Sequence, residues 1–251
     1  SQRVPPDSFL VISIEAKTIM DKSSIWKSDV WGPLLQNWAI NHSGLYELVL
    51  DENASGLNLR SPLQFFARLD EKDSPTPAFG LIGTASDNDR LDQTIKTIAE
   101  STGLNKKPGK SLRFGKPGLP YEIGRKGKTF YVLGFLPQAQ GKVATDIDMH
   151  LDQLFDSFPR KPNLEKIPAP LFTHFKQTSD CSVYLDGTGL ARAFDEFIPK
   201  TQNFWLNTIL PLMDNLTHRS VGLHAFSKKG ILEIQAIDYS SLDSSKSIHI
   251  D

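Results

Sequence analysis

Cys181 and His174 are the residues whose types best suit nucleophilic chemistry, with the cysteine attacking and the histidine taking its proton. A cysteine attacks as its thiolate, so it needs a lowered pKa, exposure and a base within reach. Cys181 is the only cysteine and stands inside the apolar run "CSVYLD". That setting predicts a buried structural cysteine rather than a nucleophile. The six histidines, His42, His150, His174, His218, His224 and His249, show no close pair with zinc-site spacing, and no cysteine cluster accompanies them. "SDNDRLD" and "TDIDMHLD" space carboxylates as a calcium loop would, but lack its glycine and distal glutamate. Acidic first turns of helices account for both.

Between Asn105 and Lys128 stand Lys106, Lys107, Lys110, Arg113, Lys116, Arg125, Lys126 and Lys128, against Glu122 alone. Such a run could take polyanions or anionic lipid headgroups. Its five glycines favour solvated turns whose lysines keep strand edges from pairing with other chains. Trp26, Trp31 and Trp38 could form a sugar or peptide platform if exposed, but their near-helical spacing predicts core. "GTG" at Gly187–Gly189 is too short for a nucleotide fingerprint and reads as a tight strand-to-helix turn. Neither a phosphate-binding loop nor a Gly-x-Ser-x-Gly elbow occurs. No residue is therefore assigned a catalytic, cofactor-binding or metal role, and no cofactor is expected.

The elements that would position these residues are short. "FLVISI" is apolar and β-branched and predicts a buried strand. Two helical pieces follow, broken near Gly32-Pro33. "LYELVLDEN" predicts a helix ending before Gly56, which can take a turn's positive φ. "LQFFARL" and "AFGLIGTA" predict strands. "SDNDRLDQTIKTIAESTG" predicts a helix capped by Ser86, with Leu91, Ile95 and Ile98 on one face and Gly103 past its end. "YEI" and "TFYVLGF" flank the hairpin-like "GRKGK". Ile147, Leu151, Leu154, Phe155 and Phe158 line one face of a further helix. "PRKPNLEKIPAP" holds four prolines in twelve residues and predicts a boundary near Arg160 to Pro170.

Past that boundary the opening pattern recurs. A shift of 171 residues pairs Ile12 with Val183, Ile14 with Leu185, Glu15 with Asp186 and Ile19 with Leu190. Two strand candidates, "SVGLHAF" and "ILEIQAIDY", then follow as in the first copy. The expected fold is α+β: two related strand-helix-strand-strand units, with mixed or mainly antiparallel sheets and helices packed on one face. The expected units are 1–160, with an added basic hairpin region, and 171–251, which stops where the helix matching the first unit's should begin, joined by a proline-rich linker at 161–170.

Composition bounds the function. With 251 residues, 39% of them hydrophobic, the chain can bury a core. A formal net charge of −1 gives no overall basic balance, so no nucleic-acid partner is expected. The longest apolar runs fall far short of the ~20 residues that cross a bilayer. The opening "SQRVPPDS" reads as a trimmed start.

Taken in order, "VPPDSFLVISIEAKTIMDKS", "SGLNLRSPLQFFARL", "AFGLIGTASDNDRLDQTIKTI" and "PAPLFTHFKQTSDCSVYLDGTGLARAF" resemble a domain-of-unknown-function family of predicted bacterial secreted lipoproteins. That family has a Val-Pro-x-Asp strand opening and no established activity, so no site residue carries over. The resemblance implies export to the periplasm or cell envelope, with a lipid anchor at a cysteine upstream of Ser1. The function expected from it is a non-enzymatic binding or assembly module, whose partner is an envelope protein or polysaccharide. The competing expectations are a hydrolase built on scattered carboxylates and a structural spacer within a longer envelope protein.

Overall fold

β-Branched and aromatic residues alternating with smaller ones build the strands, and a computed structural model joins these into one sheet. It describes residues 4–23, 52–70, 76–135, 147–157, 168–197, 219–228, 231–240 and 247–250. Along the chain run β1 (Ser8–Ile14), α1 (Ala16–Ser23), α2 (Glu52–Ser55), β2 (Leu63–Asp70), β3 (Thr76–Thr84) and α3 (Asn88–Thr102). Then come β4 (Asn105–Lys106), β5 (Leu112–Gly115), β6 (Tyr121–Lys126), β7 (Thr129–Phe135) and α4 (Ile147–Ser157). The remainder is α5 (Ala169–Lys176), β8 (Cys181–Asp186), α6 (Gly187–Phe197), β9 (Ser220–Lys228), β10 (Ile231–Asp238) and β11 (Ser247–Ile250). These strands form one 11-stranded sheet in the order β11-β10-β9-β8-β1-β2-β3-β7-β6-β5-β4. Every neighbouring pair is antiparallel. The fold is thus α+β, as expected, and mostly sheet.

At its centre β1 lies against β8, with Leu10 opposite Leu185, Ile12 opposite Val183 and Ile14 opposite Cys181. The expected boundary at 161–170 lies mostly outside the described residues, and its last residues already begin α5, with proline in the first turn. There proline's missing N–H costs no helical hydrogen bond.

Helices occupy both faces of the sheet, which corrects the expectation of one face. Successive strand residues point to opposite sides, and β7 makes the consequence plain. Tyr131, Leu133 and Phe135 pack with Leu151, Leu154 and Phe155 of α4 and Leu171 of α5. Phe130 and Ile123 pack on the other side with Leu91, Ile95 and Ala99 of α3. A second cluster there joins Phe9 and Leu69 to Ala193 of α6. Each such apolar side chain contributes roughly 1.5–3 kcal/mol when fully buried.

The caps follow the sequence with one change. Asp87, not Ser86, caps α3, its carboxylate accepting from the backbone N–H groups of Asp89 and Arg90. The Ser86 and Asp87 N–H groups both donate to the Gly56 carbonyl, which sets Asp87 at the cap. Gly56 has φ +71°, and an added Cβ would fall 2.5 Å from the Leu91 nitrogen. Gly103 closes α3 at φ 68°, with the Leu104 N–H on the Ala99 carbonyl.

Candidate functional site

The histidine proposed as a base for Cys181 is engaged elsewhere. α5 carries His174 down onto the sheet, where His174 is 1% exposed and His224 of β9 is 0% exposed. Their rings lie 4.3 Å apart, centroid to centroid. The Tyr239 hydroxyl stands 3.2 Å from His174 Nδ1 and 3.5 Å from His224 Nε2. His224 Nδ1 in turn meets Ser179 Oγ at 3.1 Å. Gly222 makes room for the pair, since a Cβ there would sit 2.5 Å from His174 Nδ1. Burial, with His224 as a second cause, lowers the His174 pKa from 6.5 to about 3. Burial also lowers that of His224. Burial raises Tyr239 to about 12, with Tyr184 adding to the shift. At neutral pH the cluster is a run of uncharged groups. Ser179 beside His224 has the outline of a nucleophile and base, but the third member is a neutral phenol. A tyrosine of raised pKa does not supply the negative charge with which a triad's carboxylate stabilises an imidazolium.

Cys181 opens β8 and is partly buried, and burial raises its thiol pKa, so it is a poor thiolate. Its neighbour Asp180 accepts from Lys22 Nζ at 2.7 and 3.0 Å and from the Ser227 N–H and hydroxyl, both at 2.6 Å. Burial alone would raise the Asp180 pKa, but these donors outweigh it and leave it lowered. The result ties α1 to β9.

The basic stretch is partly consumed inside the protein, which corrects the picture of wholly solvated turns. Glu122 of β6 is fully buried and accepts from Arg113 of β5 at 3.1 and 2.7 Å. Arg113 also donates to Asp152 of α4 at 2.6 Å. Lys107 lies 3.4 Å from Glu122 and 3.2 Å from Asp148. Burial opposes the Arg113 charge, yet Glu122 and Asp152 leave its pKa raised. Arg113 and Lys126 both stand over the Phe155 ring, at 4.1 and 4.3 Å. Arg125 grips Asp92 of α3 at 2.5 and 2.8 Å. Lys106, Lys110, Lys116 and Lys128 stay exposed. Four of the eight cations thus fasten helices to the sheet rather than wait for a polyanion.

Four of the five large apolar side chains exposed among the described residues lie on the opposite side of the sheet from the histidines; the fifth, Met149 of α4, is 46% exposed. Leu232 is 64% exposed, Leu223 44%, Ile14 38% and Ile234 36%. Register places Ile14 opposite Cys181, Cys181 opposite Ala225 and Ala225 opposite Ile234, a straight row across β1, β8, β9 and β10. Leu223 lies one pleat away beside Ala236, and Leu232 extends the row along β10.

Among the described residues, no three histidines, cysteines or carboxylates converge as metal ligands. Asp148 caps no calcium loop; it lies in the first turn of α4 and faces Lys107. Trp26, Trp31 and Trp38 lie outside the described residues, as do His42 and His218. The histidine pair escaped sequence reasoning because fifty positions separate its members. The available signal was a histidine in the strand "SVGLHAF", on the same face as Gly222. No described helix is long and apolar enough to cross a membrane, which leaves β-barrels unaddressed. Comparison with protein-family models, curated proteins and solved structures returns no match.

Proposed function

We propose that the chain is a non-enzymatic binding or assembly module of a bacterial cell envelope, built from two related strand-helix-strand-strand units. The observation that carries the binding reading is the exposed row Ile14, Ile234, Leu223 and Leu232 on neighbouring strands. Monomeric proteins seldom leave contiguous apolar surface open without a partner for it. The groups best equipped for chemistry point the same way, since His174, His224, Asp180 and Glu122 are each held in internal pairs. The envelope location and its partner class, an envelope protein or polysaccharide, rest on the resemblance to the secreted lipoprotein family.

Three equivalences support the duplication. The β1–β8 ladder, Leu10–Ile14 against Cys181–Leu185, has as its middle pair Ile12 and Val183, two positions that the 171-residue shift equates. Glu15 accepts from the Thr18 hydroxyl at 3.1 Å, and its equivalent Asp186 accepts from the Gly189 backbone N–H, also at 3.1 Å. Phe9, packed with Ala193 and Leu69, is equivalent to Asp180, bonded to Lys22 and Ser227.

The test places a photo-crosslinking amino acid at Leu232 in intact cells of the producing bacterium. A discrete adduct is expected, lost with Ile234→Asp and kept with Lys110→Asp. Burying one such side chain contributes about 1.5–3 kcal/mol, so Ile234→Asp should weaken capture by roughly tenfold or more. Adduct formation indifferent to Ile234→Asp would sink this reading.

A further inference from the structure

We propose that His174 and His224 form an acid-operated latch, which holds α5 on the sheet while both rings are neutral and releases it when they take up protons. The two rings come from different elements, His174 from the helix and His224 from the strand beneath it, and they touch at 4.3 Å. They are therefore part of the joint itself. The hydrogen bonds run in one chain, Ser179 to His224 to Tyr239 to His174, and either direction of donation leaves both rings neutral. An added proton turns an accepting ring nitrogen into a donor. Among the described residues buried His174 Nε2 has no hydrogen-bond partner, so a cation there finds nothing to accept its proton.

The groups facing the pair cannot absorb the charge. From the residue after β10 comes Tyr239 and from β8 Tyr184, whose ring lies 5.7 Å from that of His174, and both are neutral phenols. From α5 itself the neighbour is Phe175, and on β9 it is Phe226. Ser179 offers only a hydroxyl. Asp180 is turned to Lys22 and Ser227, and Glu233 accepts from Gln235, the residue opposite His224. Among the described residues no carboxylate is bonded to either ring. Two cations 4.3 Å apart would also repel each other, so protonation and docking of α5 exclude one another.

The sign follows from linkage. Both folded pKa values lie below the ordinary 6.5. Above 6.5 neither state takes up protons and docking is at full strength. Below 6.5 the released state binds protons that the docked state refuses, so release grows as pH falls. For His174 alone the release equilibrium should shift about tenfold between pH 7.5 and 5.5, and His224 adds to the shift in the same direction.

Hydrogen–deuterium exchange of the whole protein, read by peptide, tests this. Exchange in 169–176 should accelerate steeply below pH 6.5 after correction for the chemical rate, while 88–102 in α3 keeps its protection. The His174→Asn/His224→Phe variant should lose the pH dependence; phenylalanine is chosen because buried Phe66 stands opposite Val11 in β2 as His224 stands opposite Ser182, 171 residues on from Val11, in β9. Should that variant fail to fold, ring resonances of the wild type decide. Neutral rings at pH 6 that become charged only as α5 exchange rises support the latch. Flat protection of 169–176 down to pH 4.5, or rings that titrate near 6.5 with α5 still docked, overturns it.

Discussion

Glu122 sits under α4 with no exposed surface, held by two hydrogen bonds from Arg113 and by Lys107. A buried pair of this kind contributes little over a well-packed apolar pair, because both charges have lost their water. Removing one partner alone is another matter, since the remaining charge is then buried without compensation. Glu122→Ala should therefore cost about 3–5 kcal/mol, and Arg113→Met/Glu122→Leu distinctly less than that single change. Urea unfolding of the two variants checks the order; a double variant as unstable as Glu122→Ala would show that the ions themselves hold α4. The sequence announced half of this. One acid among eight cations over Asn105–Lys128 has a cation partner almost by necessity. Which cation, and that Asp148 and Asp152 would join from a helix downstream, depends on the fold's bringing α4 across β5, β6 and β7. The histidine pair was hidden for the same reason, its members being joined only by strand pairing and by the docking of α5.

Among the elements, α3 was the most legible, because its apolar period, its acidic first turn and its terminal glycine agree. Its cap was misplaced by one residue. Ser86 and Asp87 are both competent caps by type, and the choice is made by the Gly56 carbonyl, which engages both of their N–H groups from thirty residues away. Asp87→Ala should cost about 1 kcal/mol, the usual loss for a capping side chain. Ser86→Ala should stay within about 0.5 kcal/mol, as for an exposed residue without a special role. Thermal or urea unfolding separates the two, and equal losses would return the cap to Ser86. The placing of helices on both faces was legible too, in β7. "TFYVLGF" is apolar without alternation, and its burial is nearly continuous along the strand. Such a run belongs to a strand covered on both sides.

At the scale of the whole molecule, the proposed duplication turns on a place where its two copies differ in kind. In one, Phe9, Leu69 and Ala193 make an apolar clasp between strand and helix. In the other, Asp180 and Lys22 stand 171 residues from Phe9 and Ala193, and Ser227 takes the place of Leu69 by strand register, all joined by hydrogen bonds of 2.6 to 3.0 Å. The sequence shows the apolar matches of β1 with β8 together with the Glu15–Asp186 and Ile19–Leu190 pairs; a phenylalanine aligned with an aspartate counts against a repeat unless both do the same job. If they do, one clasp can replace the other. Lys22→Ala/Asp180→Phe/Ser227→Leu should fold, and should differ from the wild type in how it responds to acid. The Asp180 pKa is lowered from 3.8 in the folded protein, so its contribution is complete above that value and is lost as pH falls toward the folded one. The stability gap between the two proteins should therefore be constant from pH 7 to 5, whatever the histidines do in both, and should shift against the wild type below about pH 4. Urea unfolding across that range reads the gap directly. A triple variant that cannot refold, or a gap that stays level into strong acid, would separate the two clasps and leave the 171-residue correspondence as a likeness of strands alone.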